Sequence, residues 1–291
     1  MNVTAGVSTS GALRLVGNFQ ALRLVWERRL EEVSMSNVKG KAQTLAQLHE
    51  SGEVVILPTV WDTWSARIAA DAGFAGLTIG SHPVADAIGS SDGENMDFAE
   101  YLAVIARIVD SVDVPVSADV ESGYGLDPAE LTERLLEAGA AGANVEDVVH
   151  GEGKRVRERQ EHGDYISAMR RAADDAGVPF VINGRTDAVK LGTDVFADPL
   201  AEAVERLKVM EQAGARAVYP VGLTTADQVS TLVSAVSIPV NVTAHPVNVH
   251  GAGDLATVKK LGVRRITFGP LWQKWLTDMS SQQLATWLSD N

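Results

Sequence analysis

Eight short apolar runs, separated by segments of helical periodicity, set the strongest limit on how this chain can fold. The runs are Val54–Leu57, Leu77–Ile79, Val114–Ala118, Ala143–Val145, Phe180–Ile182, Ala217–Val221, Val240–Val242 and Arg265–Phe268. Between them, Trp64–Ala72, Asp97–Val109, Ala129–Ala138 and Leu200–Ala213 carry apolar residues at helical spacing. Four helix ends share a glycine signature, in DAGFAG, EAGAAG, QAGARA and KKLGVRR. Glycine there takes the left-handed cap conformation before the chain enters a strand. A second signature, in DVPVSAD, GVPFVIN and SIPVNVT, places proline where a strand begins, so no interior ladder bond is lost. Eight such alternations predict a (β/α)8 TIM-type barrel over residues 35–291 as one domain, with an open doubly wound sheet as the alternative.

Residues 1–34 do not share this pattern. They are expected to form either a leader or an extra N-terminal helix, and Met35 is a possible second start. Arg14 and Arg23 interrupt the apolar runs there, which argues against a signal peptide or a membrane span. The 291 residues include no cysteine, which excludes disulfides, thiolate metal sites and a catalytic thiol. With 25 Lys+Arg against 38 Asp+Glu, the formal charge of −13 disfavours nucleic acid and anionic membrane as partners. A soluble cytoplasmic protein is the expectation.

In a barrel of this kind the chemistry lies at the C-terminal ends of the strands. Those ends hold Trp61 and Asp62, Gly80 and Ser81, Asp119 and Glu121, Glu146 and Asp147, Arg185 and Asp187, Tyr219, and Asn241 with Thr243. Oxygen donors without Cys or paired His suit a hard cation, Mg2+ or Mn2+. Asp127 and Asp198, each before a proline, are read as helix caps instead. Asp119 and Glu121, two residues apart, are expected on one face. His245, just past a strand end, is either a proton-transfer group or a loop histidine.

The run SADVESGYG (117–125) resembles the DxDxGYG segment of the isocitrate lyase/phosphoenolpyruvate mutase superfamily. TVWDTWSA (59–66), IGSHPVADAIGSSDGE (79–94), GANVED (142–147), INGRTDA (182–188) and LGVRRITFGP (261–270) resemble further segments in the same order. The resemblance implies a metal-dependent lyase that cleaves a C–C or C–P bond beta to the carbonyl of a small anionic 2-oxo acid, through an enolpyruvate intermediate. Asp119 matches the acid that contacts Mg2+, and Asp92, Glu121 and Glu146 match acids that hold the metal's waters. Arg185 matches the substrate-carboxylate arginine, and Gly80 and Ser81 match backbone donors to the oxyanion. Trp61, Asp62 and Asn241 are expected to contact substrate; Arg185, Glu146 and Glu121 are the expected catalytic residues. Glu121 stands where the family most often has Asp. Asp86 falls outside the family's register, which places its acid at Asp92.

Isocitrate and methylisocitrate lyases carry a KKCGH loop after the fourth strand, and here DVVHGEGKRVRERQEHGD (147–164) lacks the cysteine. That segment is read as a charged lid whose His150, Lys154, Arg155 and Arg157 meet a second anionic group, or as a solvated run. Oxaloacetate-decarboxylase-like or phosphonopyruvate-type chemistry remains, with a weakly catalytic 2-oxo acid and metal binder as the alternative. The final segment LWQKWLTDMSSQQLATWL (271–288) carries an apolar row that must be buried. Relatives exchange this helix between subunits, so a homodimer or homotetramer is expected.

Overall fold

The computed structural model describes residues 35–247 and 251–289. The expectation for residues 1–34 lies outside the described residues. The helix over 35–50 is α1. The first barrel strand comes in two parts, β1 (Val55–Leu57) and β2 (Thr59–Val60), because Pro58 has no N–H to continue the ladder. There follow α2 (Thr63–Asp71), β3 (Leu77–Ile79), α3 (Ser81–Ile88), α4 (Phe98–Asp110), β4 (Val116–Asp119), α5 (Pro128–Glu137) and β5 (Gly142–Glu146). A hairpin of β6 (Val148–Val149) and β7 (Arg155–Val156) precedes α6 (Arg159–Asp175), β8 (Val181–Thr186), α7 (Ala188–Leu191) and α8 (Pro199–Gln212). The chain ends with β9 (Ala217–Pro220), α9 (Ala226–Val233), β10 (Asn241–Thr243), α10 (Leu255–Lys260), β11 (Arg265–Thr267) and α11 (Leu271–Ser289).

Parallel pairing runs β2-β3-β4-β5-β8-β9 and β10-β11-β1. A parallel bridge from Val218 to Val240 joins the two arcs, so the pairings close a ring of eight strands. Its C-terminal mouth carries the loops that precede the outer helices, as the alternating sequence requires. α1 lies across the opposite end: Leu45 packs beside both Gly76 and Gly142, at the starts of separate strands. At Gly139, φ is +83° and a Cβ would meet Val109 Cγ1 at 2.8 Å, so the EAGAAG glycine is needed for both turn and packing. Asp127 and Asp198 cap α5 and α8, accepting from Ala129 and Ala201 N–H groups.

The charged segment 147–164 is not one lid loop. Past the β6–β7 hairpin it is already helix, because Glu158 and Glu161 form a capping box that starts α6. Arg155 is taken up by Glu152 (2.6 Å) and Glu161 (2.7 Å), and Arg157 is buried on the carbonyls of Glu146 and Ser122. Neither is left to meet a second anionic group.

Candidate active site

A cavity of about 680 Å3 opens at the C-terminal mouth of the ring. Gly80, Ser81, Asp92, Asp119 and Arg185 line it, together with Asn144, Lys190, Tyr219, Thr243 and His245. Asp119 ends β4, and its Oδ1 accepts from Glu121 N–H at 3.2 Å. The turn that follows is held in unusual backbone: Glu121 (φ 50°) and Tyr124 (φ 54°) are left-handed, as is Glu94 (φ 59°) opposite them. Non-glycine residues there carry about 1–3 kcal/mol of strain each, offset here by a reciprocal clasp. Glu94 N–H donates to Glu121 Oε2 (2.6 Å), while Glu94 Oε1 accepts from Ser122 N–H (3.1 Å), Ser122 Oγ (2.5 Å) and Tyr124 N–H (2.7 Å). Tyr124 Oη completes the clasp on Glu121 Oε1 at 2.9 Å.

On the next two strands Glu146 and Arg185 are register partners, one at the end of β5 and one on β8. Arg185 Nη1 lies 2.6 Å from Glu146 Oε2 and 3.8 Å from Asp119 Oδ2. Asp187 takes its Nε–Nη2 edge at 2.8 and 3.0 Å. Asp187 is in turn held by Lys190 (2.7 Å), and its N–H donates to the fully buried Asp147. Burial works against the Arg185 charge, yet Glu146, Asp187 and Asp119 outweigh it and hold its pKa well above the ordinary value. His150, from the segment after β6, meets Glu146 Oε1 at 2.6 Å and Glu121 Oε2 at 3.8 Å. The Glu146 hydrogen bond raises the imidazole pKa.

The acids outnumber their cations. Burial first, then Glu146 and Asp92, push Asp119 up to about 7 against the pull of Arg185. Burial, Asp92 and Asp119 push Glu121 up to about 8. Among the described residues no three acidic or imidazole side chains converge as a direct metal cage. What the donor set fits is a hard cation touching few protein ligands: oxygen-only groups, carboxyls whose pKa values burial and mutual repulsion raise, and two acids, Asp92 and Asp119, in the cavity wall.

Several expected contacts lie elsewhere. Trp61 is buried edge-on against Trp272 (5.2 Å), and Asp62 caps α2 by accepting from Ser65 N–H (2.7 Å). Asn241 is fully buried and donates to Thr267 Oγ1 (3.1 Å) inside the ring. None of the three lines the cavity. Glu121 and Glu146 sit behind its wall, each 2% exposed. Gly80 N–H is used in the ladder, donating to Val60 O at 3.1 Å. Its role is spatial, since a Cβ would meet Thr59 Cγ2 at 2.7 Å. The cavity's backbone donors are instead those of α3, which starts at Ser81 without a side-chain cap. Asp92 accepts from Ser81 Oγ (3.1 Å) at that same helix start, whereas Asp86 points away with a 60% exposed side chain. Sequence reasoning overlooked Glu94 and Asn144; the latter stands two residues before Glu146 on β5, hence on the same face.

The chain matches the profile of the phosphoenolpyruvate phosphomutase family over residues 45–287. It is 28% identical over 225 residues to the oxaloacetate decarboxylase of Bradyrhizobium sp. strain ORS 278, covering 75% of each chain. It is 29% identical over 185 residues to the 2-methylisocitrate lyase of Escherichia coli K12, covering 60% of each. Among solved structures, a Burkholderia cenocepacia J2315 protein provisionally described as a phosphonomutase superposes with a TM-score of 0.75 at 35% identity, over 84% of this chain and 98% of that one. Oxaloacetate acetylhydrolase in complex with its product oxalate superposes with a TM-score of 0.74 at 25% identity, over 85% and 86%. Fold, motif order and profile agree: the chain is an enzyme of the phosphoenolpyruvate phosphomutase family, within the PEP mutase/isocitrate lyase superfamily of lyases and mutases.

Proposed function

We propose that this enzyme cleaves the bond beta to the carbonyl of a small 2-oxo dicarboxylate of the oxaloacetate type, with Mg2+ or Mn2+ as cofactor. The observation that carries this reading is the convergence of Asp119, the Nη1 end of Arg185 and the uncapped start of α3 on one cavity. Asp119 would hold the cation directly, with Asp92, Glu121 and Glu146 ordering its waters. The chemistry a bound cation would supply is positive charge that withdraws electron density from the 2-oxo acid. Arg185 binds the substrate carboxylate through Nη1 while Asp187 fixes the other edge of the fork. Ser81 N–H and the first turn of α3 face the developing enolate oxygen, where preorganised donors act most strongly. The clasp on Glu121 and the His150 contact on Glu146 hold both nearly buried acids in place.

With no cysteine in the chain, the thiol acid of the isocitrate-lyase type is excluded, which favours decarboxylation. The 35% identical Burkholderia protein is the observation favouring a C–P bond instead. Product analysis of oxaloacetate incubations by NMR tests the reading: decarboxylation yields pyruvate and CO2, whereas hydrolysis to oxalate and acetate breaks the bond at the carbonyl itself and would contradict it. Unchanged oxaloacetate beyond the enzyme-free rate would overturn it.

A pH dependence follows from the raised acids. In chelated protein, Asp119 and Glu121 add stability only while protonated; it is present below the ordinary carboxylate range and lost as pH rises through about 7 and 8. A bound cation relieves that repulsion, so saturating Mg2+ should raise the melting temperature more at pH 8.5 than at pH 6. Equal shifts at both values would contradict the site.

The same proposal includes a cytoplasmic homo-oligomer. In α11, Trp272 and Leu276 pack on the barrel, but Met279 (51%), Leu284 (69%) and Leu288 (82%) remain exposed. An apolar row of this kind is expected to dock on a second copy. Light scattering at micromolar concentration should give a dimer or tetramer; a stable monomer would remove the assembly.

A further inference from the structure

We propose that Asn144 is a substrate-binding residue, its side-chain amide locked in one orientation by Arg265 so that the NH2 group donates to the oxygens of the bound 2-oxo acid. The inference rests on the 2-oxo acid reading above and names a contact within that site. Arg265 begins β11, and Asn144 lies on β5, four strands away around the ring of eight. The guanidinium therefore spans the barrel interior. It is fully buried, with Nη2 3.1 Å from Asn144 Oδ1 and Nη1 2.9 Å from His49 Nε2. Asn183 Nδ2 donates to the same Asn144 oxygen at 2.8 Å.

Two donors on one atom decide the amide's orientation. Flipping it would set an NH2 group against the Arg265 guanidinium, which has no acceptor, and against the Asn183 NH2 as it stands. Nδ2 is thus left to face the cavity that Asn144 lines, beside its register partner Asp119. It makes no hydrogen bond among the described residues. It is also not a sealed orphan, unlike the buried oxygens of Asn183 and Asn241.

Arg265 itself is hard to explain as a structural element. Among the described residues no carboxylate lies within ion-pair distance of it, and burial pulls its pKa down to about 9. His49 adds no charge: burial and Arg265 push it down to about 3, and its Nδ1 lies 2.7 Å from Leu45 O, so the neutral ring accepts from Arg265. A buried cation without a counter-ion is costly. Here it polarises the Asn144 amide through a charge-assisted bond, and its compensating anion is the substrate one residue away. Arg265 is a positioning residue that acts through Asn144.

Oxalate, a planar dianion shaped like enolpyruvate, is the probe. Its affinity in the presence of Mg2+ is measured by calorimetry for wild type, Asn144→Ala, Asn144→Asp, Arg265→Gln and the Asn144→Ala/Arg265→Gln double variant, with melting temperatures alongside. Asn144→Ala should weaken binding by about ten- to a hundredfold, the range for a hydrogen bond to a charged group. Asn144→Asp keeps an acceptor for Arg265 and Asn183 but sets an oxygen against the ligand, so it should weaken binding further. Arg265→Gln should weaken binding alone and add less than about threefold in the Asn144→Ala background, since coupled residues are non-additive. Oxalate affinity within twofold of wild type in folded Asn144→Asp overturns the proposal, and so does full additivity. If Arg265→Gln does not fold, the two Asn144 variants decide. Failure of wild type to bind oxalate would instead overturn the 2-oxo acid reading, and this contact with it.

Discussion

Asp119→Ala is expected to abolish divalent-cation binding and to lower turnover by about a hundredfold or more, while leaving the fold intact. Asp119 lines the cavity wall at the end of β4, and burial with neighbouring acids pushes its pKa up to about 7, disfavouring its charge in the metal-free protein. Removing it relieves that repulsion, so the chelated variant should melt at or above the wild-type temperature. Arg185 loses only a 3.8 Å neighbour and keeps Glu146 and Asp187. Calorimetry showing wild-type Mg2+ affinity in the variant would remove the site. Asp86→Ala is the control: its side chain is 60% exposed and among the described residues meets His82 at 3.6 Å, so activity should stay near wild type.

Arg185→Lys is expected to cut turnover by at least about tenfold, towards the hundred- to thousandfold that a lost oxyanion donor typically costs, with little loss of stability. A purely structural arginine would behave in the opposite way. The structure shows why the fold should survive: Lys190 already neutralises Asp187 at 2.7 Å, and an ammonium at position 185 still faces Glu146. What lysine cannot reproduce is the planar fork, with one edge fixed by Asp187 and the Nη1 end in the cavity. Melting temperature beside turnover decides it. A destabilised variant with normal activity per folded molecule would make Arg185 structural.

The barrel was legible because its signals are local. Leu77–Ile79 reads as a strand from three residues, Pro115 stands immediately before β4 and Pro239 two residues before β10, their carbonyls serving neighbouring strands. β8 runs to Thr186, four residues past its apolar run, since Asn183 and Arg185 face a polar interior that hydropathy alone reads as loop. Asp119, Glu121, Glu146 and their partner Arg185 were legible from strand ends, whereas Asp92, in the loop after α3, was reached only through the family resemblance. Trp61, just past β2, and Asn241, which begins β10, instead pack inward. Which way a strand-end side chain turns depends on neighbours such as Trp272 and Thr267, more than two hundred and about twenty-five residues away respectively. The Arg265–Asn144 contact joins residues 121 positions apart across the ring and has no local signature. Gly80 was read as a donor from its motif, but only the ladder bond to Val60 shows its N–H already in use.

The central claim is that this cavity cleaves a 2-oxo acid with the help of a cation at Asp119. The most direct test measures pyruvate release from a panel of 2-oxo acids, including oxaloacetate and phosphonopyruvate, by chelated wild type, Mg2+-loaded wild type and Asp119→Ala. Pyruvate above the enzyme-free rate from at least one member, only with Mg2+ and not with Asp119→Ala, is the predicted result. Release of no pyruvate from any member, or release by the chelated protein or by Asp119→Ala equal to that of Mg2+-loaded wild type, would contradict the account.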